Sequence, residues 1–149
     1  MDCKISLQKQ QDILSVAKLF DEYRQFYHQE SDLELAKNFI EARFNEQSSF
    51  VLYAKDSMGI PLGFAQLFPS FSSVRAQPIL ILNDLFVAQH ARCFGVGRAL
   101  IDECKQFAKR NGYVAISLKT HVENERAQAL YEGLDFKRVD DFLTFNCRL

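Results

Sequence analysis

The sequence predicts an α/β (α+β) fold, and three observations carry that prediction. Short runs rich in aromatic and β-branched residues alternate with stretches in which apolar residues recur every three or four positions. Asp56-Ser57-Met58-Gly59 separates two of the short runs as a hairpin turn, which makes them antiparallel neighbours. Arg92-Cys93-Phe94-Gly95-Val96-Gly97 stands between an apolar run and an amphipathic stretch, so it reads as a strand, a glycine turn and the start of a helix.

Taken in order, residues 3–7 form the first strand. Ile13, Val16, Ala17, Phe20, Tyr23 and Tyr27 keep helical spacing, as do Leu35, Phe39, Ile40 and Phe44 after an N-cap at Ser31 or Asp32. Residues 50–55 and 62–68 are the strands of the hairpin. Pro69-Ser70-Phe71-Ser72-Ser73 breaks the pattern and reads as a loop, after which residues 79–87 form a long strand. The helix after the glycine turn buries Val96, Leu100, Cys104, Phe107 and Ala108, and Asn111-Gly112 ends it. Residues 114–120 are a further strand. Asn124 caps a short helix that carries Ala127, Leu130, Tyr131 and Leu134 on one face. Residues 136–139 and 142–148 are read as a closing strand pair around Asp140-Asp141.

A chain of 149 residues fits one domain, residues 1–149, with a substantial core. Hydrophobic residues at 48%, charged residues at 25% and a formal net charge of −1 give no electrostatic case for a nucleic-acid or membrane partner. No apolar run approaches the roughly 20 residues of a membrane span, and the start of the chain lacks a secretory apolar segment, so a cytoplasmic protein is expected. The four cysteines (Cys3, Cys93, Cys104, Cys147) and His28, His90 and His121 are dispersed, with no metal-ligand spacing. Core positions are expected for Cys3, Cys104 and Cys147. Cys93, beside a helix start, is where a thiol pKa can be depressed.

Chemistry concentrates in two places. The first amides of a helix have no intrahelical partner and the helix dipole favours negative charge there, so the turn at residues 92–98 is a phosphate seat. Gly95 and Gly97 let backbone approach a pyrophosphate, and Arg92 and Arg98 add positive charge. It is neither of the common phosphate loops: the dinucleotide turn needs glycine where Leu100 stands, and the nucleoside-triphosphate loop needs Lys-Ser/Thr where Arg98-Ala99 stand. In the second place, Asn83 and Asp84 interrupt an apolar strand. An unsatisfied buried polar group costs roughly 1–3 kcal/mol, so either partners satisfy these two or the strand opens to a cleft there.

With these residues in place, the chain resembles the GNAT superfamily of N-acetyltransferases. Residues 92–97 are similar to that family's Gln/Arg-x-x-Gly-x-Gly/Ala turn, and Asn124-Glu125-Arg126-Ala127 followed by Tyr131 and Phe136 is similar to its last helix. The strand Leu82-Asn83-Asp84-Leu85-Phe86-Val87 is closest to the diamine and protein acetyltransferase-like branch, although an acidic residue often stands where this chain has Asn83. Asp135 replaces a usual glycine before Phe136, and aspartate tolerates a left-handed helix cap.

The resemblance implies a GNAT fold: a mixed, mostly antiparallel sheet of six to seven strands flanked by about four helices, splayed between the fourth and fifth strands. It implies acetyl-CoA as cosubstrate and an acetyl transfer to a primary amine of a small molecule or protein. The cosubstrate's pyrophosphate falls to Arg92, Cys93, Phe94, Gly95, Val96, Gly97 and Arg98. Its pantetheine arm and thioester fall to the backbone of Leu85, Phe86 and Val87 and to Asn124, Ala127 and Tyr131. Tyr131 is the expected proton donor to the departing thiolate and Asp84 a base acting through water, or else a structural partner of nearby backbone. Tyr23, Phe26, Tyr27, Phe71, Ser72 and Ser73, with Asn83 and Asp84, are candidates for the acceptor end. A non-catalytic acetyl-CoA-binding module is the rival reading. The alternating, unguarded segment 142–149 suggests pairing with a second chain, hence a homodimer.

Overall fold

The computed structural model describes residues 2–149. Two compact units divide it, one ending at Lys119 and one spanning Thr120–Leu149. The first unit is a five-stranded sheet in the order β1-β2-β3-β4-β5, made of β1 (Lys4–Leu7), β2 (Phe50–Lys55), β3 (Pro61–Ser72), β4 (Gln77–Val87) and β5 (Ile116–Leu118). The first four strands pair antiparallel, and β5 joins β4 in parallel.

Three helices flank this sheet. The helices α1 (Ile13–Phe26) and α2 (Leu33–Asn45) bury Ile13, Val16, Leu19, Phe20, Ala36 and Ile40 against Val51 and Tyr53 of β2, Phe64 of β3 and Phe86 of β4. Asp21 of α1 fixes the entry to α2: its carboxylate accepts from Ser31 Oγ at 2.7 Å and from the Asp32 amide at 2.8 Å. Asp32 in turn caps α2 by accepting from Leu35 N–H at 3.0 Å.

The helix α3 (Val96–Arg110) packs on the opposite side of the sheet through Val96, Leu100, Ile101, Cys104, Phe107 and Ala108, with the Phe107 ring 4.9 Å from that of Phe50. Gly63 makes this docking possible. A Cβ there would lie 2.5 Å from the Phe86 carbonyl oxygen and 3.3 Å from the Leu100 side chain. Burial pushes the Cys104 thiol up to about 12, as suits an inert core position, whereas Cys147, also expected in the core, is exposed.

The second unit holds α4 (Glu125–Glu132), which Asn124 caps by accepting from Ala127 N–H at 3.1 Å. Asp135 has a φ of 68°, the left-handed conformation expected of it. Around it the Phe136 amide donates to the Tyr131 carbonyl at 3.1 Å and the Asp135 amide to the Glu132 carbonyl at 3.4 Å. These two bonds make a Schellman cap, and its usual apolar contact is the Tyr131–Phe136 ring pair at 5.8 Å.

The structure corrects three expectations. Residues 69–72 are strand: β3 runs through Pro69 and Phe71, which pair with Leu80 and Pro78, and the turn lies at residues 73–76 with Ala76 at a φ of 53°. Cross-strand pairing overrides the local breaker signal there. Residues 114–120 shorten to the three residues of β5. Residues 136–139 and 142–148 form no strand, so the sheet has five strands and not six to seven. Phe142, Leu143 and Phe145 are 83%, 83% and 88% exposed, and an alternating pattern without a hydrogen-bonding neighbour is not held as a strand.

Candidate active site

The strand β4 is where the sheet opens. Gln66 pairs with Asp84 and Leu67 with Leu82, so Asn83 is an extra residue, a β-bulge. On its other edge β4 pairs with β5 only at Leu80, Ile81 and Leu82. From the bulge to Val87 the strand therefore has β3 on one side and no strand on the other, and Leu85, Phe86 and Val87 lie on this open stretch.

The bulge turns Asn83 outward, and Asp84, opposite Gln66 and on the face that carries Phe86, faces α1 with 5% exposure. Its carboxyl is held from three elements. Gln66 of β3, fully buried, donates from Nε2 to Oδ2 at 2.5 Å; Asn83 donates from Nδ2 to Oδ1 at 3.1 Å; the Tyr23 side chain of α1 completes the set. Ser49 donates to Gln66 Oε1 at 2.9 Å, which turns the amide so that its NH₂ end meets the acid. Burial raises the Asp84 pKa above the usual carboxylate range, and the hydrogen bonds from Gln66, Tyr23 and Asn83 offset part of that rise.

An aromatic ladder leads from this carboxyl to the surface. Tyr23 meets Phe86 at 6.2 Å, Phe64 at 6.1 Å and Tyr27 at 5.0 Å, and Tyr27 meets Phe26 at 5.3 Å. Tyr27 and Phe26 are about half exposed, at 48% and 55%. Phe71, another acceptor-end candidate, lies near the end of the β3–β4 hairpin and is 77% exposed.

The turn after β4 is built as a helix start without a side-chain cap. Gly95 occupies the N-cap with a φ of 81°, where a Cβ would be strained, and Cys93 has a φ of 67°. The Gly95 carbonyl accepts from Ala99 N–H at 3.0 Å, so the amides of Val96, Gly97 and Arg98 precede the helical ladder. Phe94, Gly95 and Arg98 are exposed. Arg92 is drawn away from the turn: its Nε donates to the Val87 carbonyl at 3.0 Å and its guanidinium lies 5.7 Å from the Phe86 ring centre. Asn124, Ala127 and Tyr131 belong to the second unit, with Tyr131 in ring contact with Phe136.

Gln66 and Ser49 were not among the residues expected at the site. The signal was present, because Gln66 is a polar break in the apolar run 62–68 just as Asp84 is in its own strand, and two such breaks at facing positions of a hairpin satisfy one another. Among the described residues, no cluster of three His, Cys, Asp or Glu could hold a metal ion, and no helix is long and apolar enough to cross a membrane.

Comparison with known proteins bears on the same elements. The chain is 41% identical over 137 residues to the uncharacterized N-acetyltransferase YhfO of Bacillus subtilis, covering 92% of this chain and 91% of that protein. It is 34% identical over 104 residues to a probable acetyltransferase of Haemophilus influenzae, covering 70% and 71%. A crystal structure of a probable acetyltransferase superposes with a TM-score of 0.91 at 34% identity, covering 98% of this chain and 97% of that one. Residues 13–136, from the start of α1 to the ring that packs on Tyr131, match the model of the acetyltransferase (GNAT) family, and the chain belongs to that family of acetyltransferases.

Proposed function

We propose that residues 1–149 act as one N-acetyltransferase domain, transferring an acetyl group from acetyl-CoA to a primary amine of a small molecule or protein. Its strand motif is closest to the diamine and protein acetyltransferase-like branch. The observation that carries the reading is the combination, on one strand–turn–helix unit, of an open edge at Leu85–Val87 and an uncapped helix start behind Gly95. The residues fit the cosubstrate. Amides that precede the helical ladder and a 15-residue helix dipole suit a pyrophosphate, and Gly97 keeps its approach clear. Arg98 and, by releasing Val87, Arg92 supply countercharge.

Acetyl-CoA, when bound, supplies the thioester that reacts. Leu85, Phe86 and Val87 offer backbone groups to its amides, and Asn124 keeps its Nδ2 for the same arm because its Oδ1 is used in capping α4. Asp84 serves as the base that takes the acceptor's proton, its burial giving it more proton affinity than an exposed aspartate. Tyr131 holds the proton for the departing sulfur, and the Schellman cap that packs it on Phe136 restrains its ring. Asn83, Tyr27 and Phe71 belong to the acceptor end. Free thiols at all four cysteines suit a cytoplasmic, reducing setting. The exposed apolar residues of the segment after Val139 support a homodimer.

The test is a CoA-release screen over polyamines, amino acids, aminoglycosides and lysine peptides. Amine-dependent release by the wild type is expected. Binding of acetyl-CoA with no release to any amine would favour a binding module.

A further inference from the structure

Asp84 at 5% exposure cannot itself meet an amine arriving from solvent, so its proton must come through a partner. Gln66 is fully buried and, with its carbonyl engaged by Ser49, turns only its NH₂ to the carboxyl. Asn83 also presents its NH₂. An amide NH₂ donates a hydrogen bond but does not accept and pass on a proton, whereas a phenol hydroxyl is donor and acceptor at once. Tyr23 is the phenol among these partners, half-buried and reaching from the acid to the half-exposed Tyr27. Its ring is clamped edge-on by Phe64 and Phe86, which keeps the hydroxyl in place.

We infer that Tyr23 is a catalytic residue that relays the acceptor amine's proton to Asp84, and that Gln66 and Ser49 are positioning residues that hold the carboxyl to receive it. The inference rests on the reading of Asp84 as the base. As the amine nitrogen attacks the acetyl carbonyl its N–H bond breaks, the proton bonds to Tyr23 Oη, and the proton already on that oxygen moves to the Asp84 carboxylate. The hydroxyl ends with one proton, as it began, and the acid holds the one the amine lost. The groups that face Asp84 in this scheme are Tyr23 from α1, Gln66 from β3 and Asn83 on β4, of which Tyr23 is titratable.

The variant Tyr23→Phe keeps the ring and its packing and removes the hydroxyl. Its turnover with the best amine of the screen should fall by roughly 10- to 10²-fold with KM for acetyl-CoA unchanged. In mixtures of light and heavy water the wild-type rate should bend with deuterium fraction, as two protons moving together require, and that of Tyr23→Phe should lose the curvature. The infrared carboxyl band of Asp84, identified by its loss in Asp84→Asn, should titrate at higher pH in Tyr23→Phe and in Gln66→Met, each of which removes a donor to the anion. The Gln66→Met rate profile should move its acid limb upward in the same direction. Wild-type turnover and curvature in folded Tyr23→Phe would overturn the relay while leaving the base in place. A rate profile in Asp84→Asn parallel to that of the wild type would overturn the base reading itself, and the infrared titration, which needs no turnover, separates the two results.

Discussion

At the scale of single residues, the account turns on how a sheet can bury a carboxyl. Asp84 survives in an apolar strand because a bulge at Asn83 and a facing glutamine provide donors to both of its oxygens. The polar pair Asn83-Asp84 was legible in the sequence as an anomaly needing partners, and Gln66 as a polar break in the neighbouring strand; Tyr23 was not identifiable as a partner, since α1 reaches the acid only through tertiary packing. The raised pKa has a consequence for stability. A folded carboxyl that keeps its proton to higher pH than the unfolded one makes the native state bind more protons in that window, so stability falls as pH rises from the ordinary aspartate range through the folded pKa. The melting temperature of Asp84→Asn relative to the wild type should therefore be more favourable at pH 7 than at pH 4, and a pH-independent difference would contradict the burial argument. At the helix start, Gly97→Asp places bulk and negative charge where the pyrophosphate is proposed to sit, and calorimetry should record a strong loss of CoA affinity in a folded variant. Tyr131→Phe should lower turnover by roughly 10²-fold with CoA affinity nearly unchanged; unchanged turnover where chemistry limits the rate would leave Tyr131 a packing residue.

At the scale of elements, the helices were the most readable part of the chain because their signals are local. Spacing located α1 to α4, and Asp32 and Asn124 cap as their residue types predict. Their ends share one device. His28, Gln47, Gly112 and Asp135 each have a positive φ, and each is followed by an amide that donates to the carbonyl five residues earlier. Glycine, the residue suited to that conformation, is present only after α3 among these four. Gln47→Gly should accordingly stabilise the protein by about 0.5–1 kcal/mol in urea unfolding, with Gly112→Ala losing a similar amount. Loss of stability in Gln47→Gly would mean that the Gln47 side chain contributes more than its backbone costs. The strands were read less well. Pro69 and the serines after it look like a loop to any local rule, yet pairing with β4 extends the hairpin past them; β5 ends at Leu118, which pairs with Leu82, the residue just before the β4 bulge.

For the whole molecule, the GNAT fold was readable because two motifs with fixed spacing coincided with the order of the elements, and the family match across residues 13–136 agrees. What the sequence overstated was the end of the chain. Alternation in residues 142–149 records a capacity to pair, but the segment forms no strand. Phe142 and Phe145, 83% and 88% exposed, are the residues that a second copy would cover. Sedimentation should show a homodimer at roughly tens of micromolar, a range where weak symmetric contacts are populated, and the double substitution Phe142→Asp, Phe145→Asp should give monomer. A wild-type monomer under those conditions would remove the dimer from the account.

The open strand, the buried acid and the helix start matter together only if they perform acetyl transfer with Asp84 as its base. The most direct measurement is the rate of amine-dependent CoA release against pH for the wild type and Asp84→Asn. The account predicts a deficit in the variant that is largest above the Asp84 pKa and narrows as pH falls through it, because a protonated Asp84 no longer serves as base in the wild type. Two profiles that differ by a constant factor, or not at all, would contradict it.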